Sequence, residues 1–422
     1  MMEVFDRLLP WIRAQFPQID SLRDGRRRVY LDNAAGTLVP ETVADAMREA
    51  ALWANPQPGR AWPPSPETRA EQHRARSLLA DFLNASPADR IALSESTTSS
   101  LYKLREALEP SWHAGDNLVV TDCDHFANIS PWEWRARWEV RRARMLPDGH
   151  LDLDHFASLP DSGTRLVALA VAGNALGTVL RVEEAVRRVR ERAPDAIIVL
   201  DAVHAAPHLP LDVQALGADA LAFSTYKLFG PLCGVLWLRE GLAARLDPFH
   251  VEPHSDAETL LEWGTLNGVT VAGVRAALEY LQRLGEQLDT PAAGCAGGYS
   301  GPRRLFKAAL AAIRGYEAGL SRRVLEGLRG NGLPLFGVHD PERAAERVPT
   351  FAFAVPGVAD ADVERRFWEE GGLQVSAGNH YAAAVTRGLD RASVARASFA
   401  HYNTAADADA LLRMLTWGGN LH

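Results

Sequence analysis

From the N-terminus, apolar residues first recur at helical spacing. Val4, Leu8, Leu9, Trp11 and Ile12 predict a short amphipathic helix over 3–16, with Pro10 a candidate break. Tyr30-Leu31-Asp32-Asn33 reads as a strand entering a polar turn. Pro40 opens a helix over 41–54, because a missing N–H costs least at a helix N-terminus. Five prolines make 55–66 a loop, and a second helix is expected over 67–83. Short β-rich runs then alternate with helical stretches: 91–93, 117–121, 166–171, 196–200, 220–223 and 235–238 read as strands, and 182–192 as a helix. The runs 166–171 and 197–200 are apolar at successive positions, as in strands covered on both faces. Beyond about residue 272 the texture changes. Helices over 271–284, 316–329, around 360–370 and over 407–416 are joined by strands at 350–355 and 373–376, and 289–302 is a Gly/Ala/Pro-rich loop. The expectation is a large α/β domain over 26–272 and a small α+β C-terminal domain over 273–422, with 1–25 packing on the small one.

Composition narrows the class. Of 422 residues, 47% are hydrophobic and 23% charged, which suits a globular core and argues against disorder. The net charge of −8 argues against a nucleic-acid binder. Three cysteines cannot build a disulfide framework, so a reducing compartment is expected. No stretch approaches the apolar length of a membrane span, and the N-terminus lacks a signal-peptide core. A cytoplasmic protein with no membrane partner is the expectation.

Two strand ends carry candidate chemistry. Asp201-Ala202-Val203-His204 follows 197–200, and Ser224-Thr225-Tyr226-Lys227 follows 220–223. Ligands in open α/β sheets bind beyond the carboxyl ends of the strands. A lysine emerging there from a buried strand can form a Schiff base, and a neighbouring carboxylate can pair with a protonated pyridine nitrogen. Pyridoxal phosphate requires these two groups of a protein. Either residue alone is more often a helix cap or a solvated amine.

The chain resembles the class V aminotransferase family of pyridoxal-phosphate enzymes, in its cysteine desulfurase-like branch. The resemblance rests on Y-L-D-N-A-A at 30–35, S-T-T at 96–98, D-H-F-A-N at 124–128, G-N-A-L-G-T at 173–178, D-A-V-H at 201–204, S-T-Y-K-L-F-G-P at 224–231, E-W-G-T-L-N at 262–267 and R-A-S-F-A-H-Y-N-T at 396–404. It implies fold type I of the PLP-dependent transferases, with a mostly parallel seven-stranded sheet. By resemblance, Thr97, Thr98, Ser224 and Tyr226 bind the phosphate, and Thr265 reaches the phosphate of a neighbouring subunit. His125 stacks on the pyridine ring, Asn174 and His204 approach its hydroxyl, and Asp201 holds its nitrogen. Lys227 forms the covalent bond and shuttles a proton. Lys227, His125 and Asp201 are thus the expected catalytic residues. Arg396 grips a free α-carboxylate, with Ala34, Asn379 and Tyr381 as further substrate contacts. A homodimer with shared active sites follows, and no metal is implied.

One departure matters. In cysteine desulfurases a loop cysteine accepts the sulfur, but here the matching segment is Ser376-Ala377-Gly378-Asn379-His380-Tyr381. Tyr381 stands in the acceptor position, and a phenol cannot hold a persulfide. Ser376 stands where many desulfurases carry an arginine. Cys123 and Cys233 read as buried structural thiols, and Cys295 lies in a flexible stretch that does not match the loop. The expected function is therefore action on an amino acid through an external aldimine, as a C–S lyase without a persulfide cysteine. The alternative is a class V aminotransferase or epimerase. A non-catalytic scaffold of the same fold would lack Lys227 or Asp201, and both are present. Arg60 and Trp62 are read either as part of a substrate entrance or as a rigid surface loop.

Overall fold

The computed structural model describes residues 2–54, 58, 60–249, 260–288, 297–330 and 332–417. A two-residue strand, β1 (Val29–Tyr30), precedes seven strands of one sheet. These are β2 (Arg90–Ser94), β3 (Asn117–Thr121), β4 (Glu139–Ala143), β5 (Thr164–Ala170), β6 (Ile197–Asp201), β7 (Ala220–Ser224) and β8 (Gly234–Leu238). Their order is β2-β8-β7-β6-β5-β3-β4. β8 runs antiparallel to both neighbours, and the other pairs are parallel.

The apolar runs explain this sheet. Successive side chains of a strand point to opposite faces, so a run apolar at every position needs cover on both. Alternate residues here enter two separate cores. Val119, Val167, Leu169, Ile198 and Leu200 enter one, while Leu118, Val120, Leu166, Ala168 and Val199 enter the other. β4 was not expected from the sequence. Its Glu-Val-Arg-Arg-Ala run is mostly polar and part-exposed because it is the sheet edge, where charged side chains discourage further pairing.

A second sheet follows in the C-terminal region: β9 (Leu335–Phe336), β10 (Thr350–Phe353), β12 (Ser376–Gly378) and β13 (Val394–Ser398), in the antiparallel order β12-β13-β10-β9. Between β10 and β12, β11 (Leu373–Gln374) pairs instead with β1, Val29 opposite Leu373. The single strand expected over 373–376 is thus two, serving two sheets on either side of Val375. The helix expected over 316–329 runs over Gly301–Leu328, because Phe306, Leu310 and Ile313 extend its buried stripe toward the N-terminus. Pro10 does not break the first helix, Met2–Ala14. That helix stacks Phe5 on Tyr316, and Arg13 donates to the Tyr402 carbonyl. The loop carrying Cys295 lies outside the described residues.

Candidate active site

All the parallel strands end on one edge of the large sheet, and β8 begins there. The helix Thr97–Leu108 starts at that edge, right after β2. Ser96 caps it in a reciprocal capping box with Ser99. Thr97 and Thr98 occupy its first turn, where backbone N–H groups lack intrahelical acceptors and favour an anion. Ser224, at the end of β7, reaches across: its Oγ lies 2.7 Å from Thr97 Oγ1 and accepts from the Thr97 N–H at 3.1 Å. Three hydroxyls and a helix N-terminus thus converge, as a phosphate requires.

Gly234 permits that convergence. A Cβ there would lie 2.3 Å from the Ser96 carbonyl carbon and oxygen. Gly234→Ala is expected to cost about 1–3 kcal/mol of stability through overpacking. It is also expected to weaken cofactor binding by displacing the helix start, as measured by thermal melts and a cofactor titration.

Lys227 ends the short helical turn that follows β7 and is only 6% exposed. It lies between two cavities. The inner one, of about 80 Å³, is walled by Ser96, Thr97, Asp201, His204 and Ser224. The outer one, of about 550 Å³, is walled by Ala34, Tyr102, Phe126, Ser130, Tyr381 and Arg396. Thr98, His125, Ala127, Asn174, Tyr226 and Lys227 line both. The chain has three lysines. Lys103 pairs with Glu95 at 3.0 Å, and Lys307 donates to the Phe82 and Leu211 carbonyls. Lys227 alone among them faces these cavities.

Burial tunes the site. The Lys227 amine is brought down to about 8 by burial and by Arg396, against the pull of Asp201. The Asp201 carboxyl is pushed up to about 6 by burial, although its Oδ1 accepts from the Val203 N–H at 2.8 Å. A cationic partner in the cavity would hold it ionised. Burial lowers His125 to about 4, so its ring is neutral at pH 7. Its Nδ1 accepts from the Ala127 N–H at 3.0 Å, which leaves the proton on Nε2. His204 is likewise held neutral by burial, with Nε2 3.0 Å from Thr350 Oγ1.

Asn174, in the loop after β5, donates through Nδ2 to the His380 carbonyl at 2.8 Å. Its Oδ1 is buried in a cavity wall without a hydrogen-bond partner among the described residues. An orphaned acceptor is costly unless a ligand supplies the donor. The residues gathered here suit a hydroxylated, phosphorylated pyridine aldehyde: an anion cradle, a carboxylate, an unpaired amide oxygen and an amine stand together.

On the outer wall Arg396 projects from β13, nearly fully buried. Its Nη1 donates to the Asn174 carbonyl at 3.0 Å, while Asp32 and Ser376 are more distant, at 3.5 Å. Its Nε is buried and has no partner among the described residues. A guanidinium so incompletely satisfied suits a carboxylate ligand. Asp32 Oδ1 also accepts from Ser376 Oγ at 2.8 Å.

The expected site residues do not all converge. Thr265 lines a separate cavity with Lys103, Cys233 and Trp263, so it does not reach the Lys227 site within its own chain. Asn379 is absent from the cavity walls. Its side chain closes a turn instead, Oδ1 accepting from the Tyr381 N–H. Arg60 and Trp62 also stand outside both cavities, with Trp62 exposed. Sequence reasoning did not assign roles to Asp32, Tyr102, Phe126, Ser130 or His380. Asp32 lies within the quoted Y-L-D-N motif, and Tyr102 falls one helical turn beyond Thr98, so both carried a signal.

A family profile described as Aminotransferase class-V matches residues 29–293 and 290–411. A probable cysteine desulfurase of Streptomyces coelicolor is 31% identical over 95% of this chain and 94% of its own length. A cysteine desulfurase of Klebsiella pneumoniae is 30% identical over 95% and 96%. Among solved structures, the apo form of a cysteine desulfurase from Thermococcus onnurineus superposes with a TM-score of 0.80 at 26% identity, over 92% of this chain and 94% of that one. A cysteine desulfurase from Escherichia coli in its S-sulfonic acid form gives 0.78 at 26% identity, over 97% and 98%.

Proposed function

The chain belongs to the class-V aminotransferase family, and on that premise we propose that it is a C–S lyase acting on a cysteine S-conjugate. It has the type I fold of the PLP-dependent transferases and is a pyridoxal-phosphate enzyme acting on an amino acid. When bound, the cofactor supplies a carbonyl for an amine and a ring that takes up the electron pair left at a substrate α-carbon.

The residues divide the remaining work. Arg396 holds the substrate α-carboxylate and so orients the Cα–H bond. Asp201 keeps a positive charge in the inner cavity. Thr97, Thr98 and Ser224 anchor the anion, with Tyr226 beside them. Lys227 Nζ, with its lowered proton affinity, takes the α-proton and returns it. His125, neutral, lines both cavities. The Cβ–S bond then breaks, and the thiol leaves with the electron pair and a proton. One water completes the release of a 2-oxo acid and ammonium.

The single observation behind a lyase is the acceptor position. By the resemblance that position falls to Tyr381, which is 71% exposed at the cavity wall. Cys123 and Cys233 are buried, the first thiol raised well above its ordinary value and the second pushed up to about 12, both by burial. Neither can serve as a ready thiolate. In our reading the enzyme is a cytoplasmic homodimer, with Thr265 serving the partner's phosphate. Among the described residues no helix is long and apolar enough to cross a membrane.

Product analysis tests the reading. A lyase given S-methyl-L-cysteine yields methanethiol, pyruvate and ammonium in equal amounts. Transfer of the amino group to an added 2-oxo acid, with the thioether intact, would establish an aminotransferase instead. Alanine and a protein persulfide from L-cysteine would establish a desulfurase.

A further inference from the structure

The walls of the outer cavity point to a substrate class. We propose that the side chain of the substrate beyond its Cβ is neutral and carries a flat apolar group, and that Tyr381 is the residue that selects it. This rests on the reading of the cavity as the amino-acid site.

The outer cavity, of about 550 Å³, is much larger than the inner one and shares six lining residues with it. Beyond the residues it shares with the inner cavity, its walls include Tyr102, Phe126 and Tyr381 together with Ala34, Ala35 and Ser130. Its charged groups are Lys227 and Arg396, both already engaged with the reacting centre. Burial holds His125 down to about 4 and His380 down to about 3, so both rings are neutral at pH 7. Among the described lining residues no cation remains for a second carboxylate, and no carboxylate for an amine.

Tyr381 is held where it can act. His380 and Tyr381 have φ of +52° and +55°, a left-handed pair without a glycine. Such a conformation persists only when its surroundings enforce it. The Phe126 N–H donates to the Tyr381 carbonyl at 2.7 Å, and Asn174 Nδ2 donates to the His380 carbonyl at 2.8 Å. His380 Nε2 donates to the Val394 carbonyl at 3.1 Å, and the Tyr381 N–H donates to Asn379 Oδ1 at 3.0 Å. The result sets the phenol ring 5.5 Å from the His125 ring, tilted by 42°. An exposed aromatic face fixed beside a neutral imidazole offers a stacking surface for a planar group.

The test uses the cofactor-loaded protein with three probes: S-benzyl-, S-methyl- and S-carboxymethyl-L-cysteine. Dissociation constants come from the change in cofactor absorbance, independently of turnover. S-benzyl-L-cysteine is expected to bind about tenfold tighter than S-methyl-L-cysteine, and the carboxymethyl probe most weakly. Tyr381→Ala should shrink the benzyl-over-methyl ratio about fivefold, and Tyr381→Phe should keep it. Equal binding of the benzyl and carboxymethyl probes, or an unchanged ratio in Tyr381→Ala, would overturn the assignment. Tight benzyl binding without thiol release would leave the specificity standing and remove the lyase reading. Thiol release at equal rates from all three would do the reverse. Silence of the spectrum with every probe would overturn both.

Discussion

Lys227→Ala is expected to lower turnover by at least about a thousandfold, the scale of a lost proton-transfer group in a covalent mechanism. The protein should remain folded. Removing a buried amine relieves a desolvation cost. Cofactor should still bind through Thr97, Thr98, Ser224 and Asp201, but without a covalent link. Added methylamine should restore part of the rate by supplying the missing amine. Steady-state kinetics with and without the amine, beside circular dichroism, separate this from misfolding. Loss of less than tenfold would mean that another group moves the proton.

The second large effect concerns Asp201. Asp201→Asn is expected to reduce turnover of the loaded enzyme by about two to three orders of magnitude. The substitution strips a buried positive charge of its partner, at about 3–5 kcal/mol. The same change should stabilise the cofactor-free protein. Burial raises the Asp201 pKa to about 6, so the folded state binds its proton more tightly than the unfolded state does. Stability then falls as pH rises from the ordinary carboxylate value through about 6, and the loss is fully present above that. Asparagine carries no such charge, and its carbonyl can still accept from the Val203 N–H. Cofactor-free Asp201→Asn should therefore melt above the parent at pH 7 to 8 and near it at pH 4. A residue that costs stability to serve a reaction is expected at an active site. Equal melting temperatures at all pH values would contradict this account.

Much of this was legible because the physics is local. β5 and β6 carry unbroken apolar runs over 166–170 and 197–200, so their place in the sheet interior follows from composition alone. The residues at their carboxyl ends, Asn174 and Asp201, inherit a predictable location. The edge strand β4 was missed because an edge tolerates the charges that an interior strand excludes. The division of 373–376 between two sheets was also missed. Its cause is pairing with β1 and β13, which lie far off in sequence. The same limit applied to the outer cavity. Tyr102, Phe126 and His380 come from three segments, and no spacing along the chain announces that they face one another. The left-handed His380–Tyr381 pair was invisible as well, since a tyrosine does not signal a positive φ and no glycine stands at either position.

The central claim is that Lys227 bonds the cofactor at the junction of the two cavities. With three lysines in the chain, the assignment is open to direct test. The protein is loaded with pyridoxal phosphate, reduced with borohydride, digested and mapped by mass spectrometry. The account predicts a visible absorbance band before reduction and one phosphopyridoxyl label afterwards, on the peptide containing Lys227. A label on Lys103 or Lys307 instead, or a protein that takes up no cofactor at all, would contradict it.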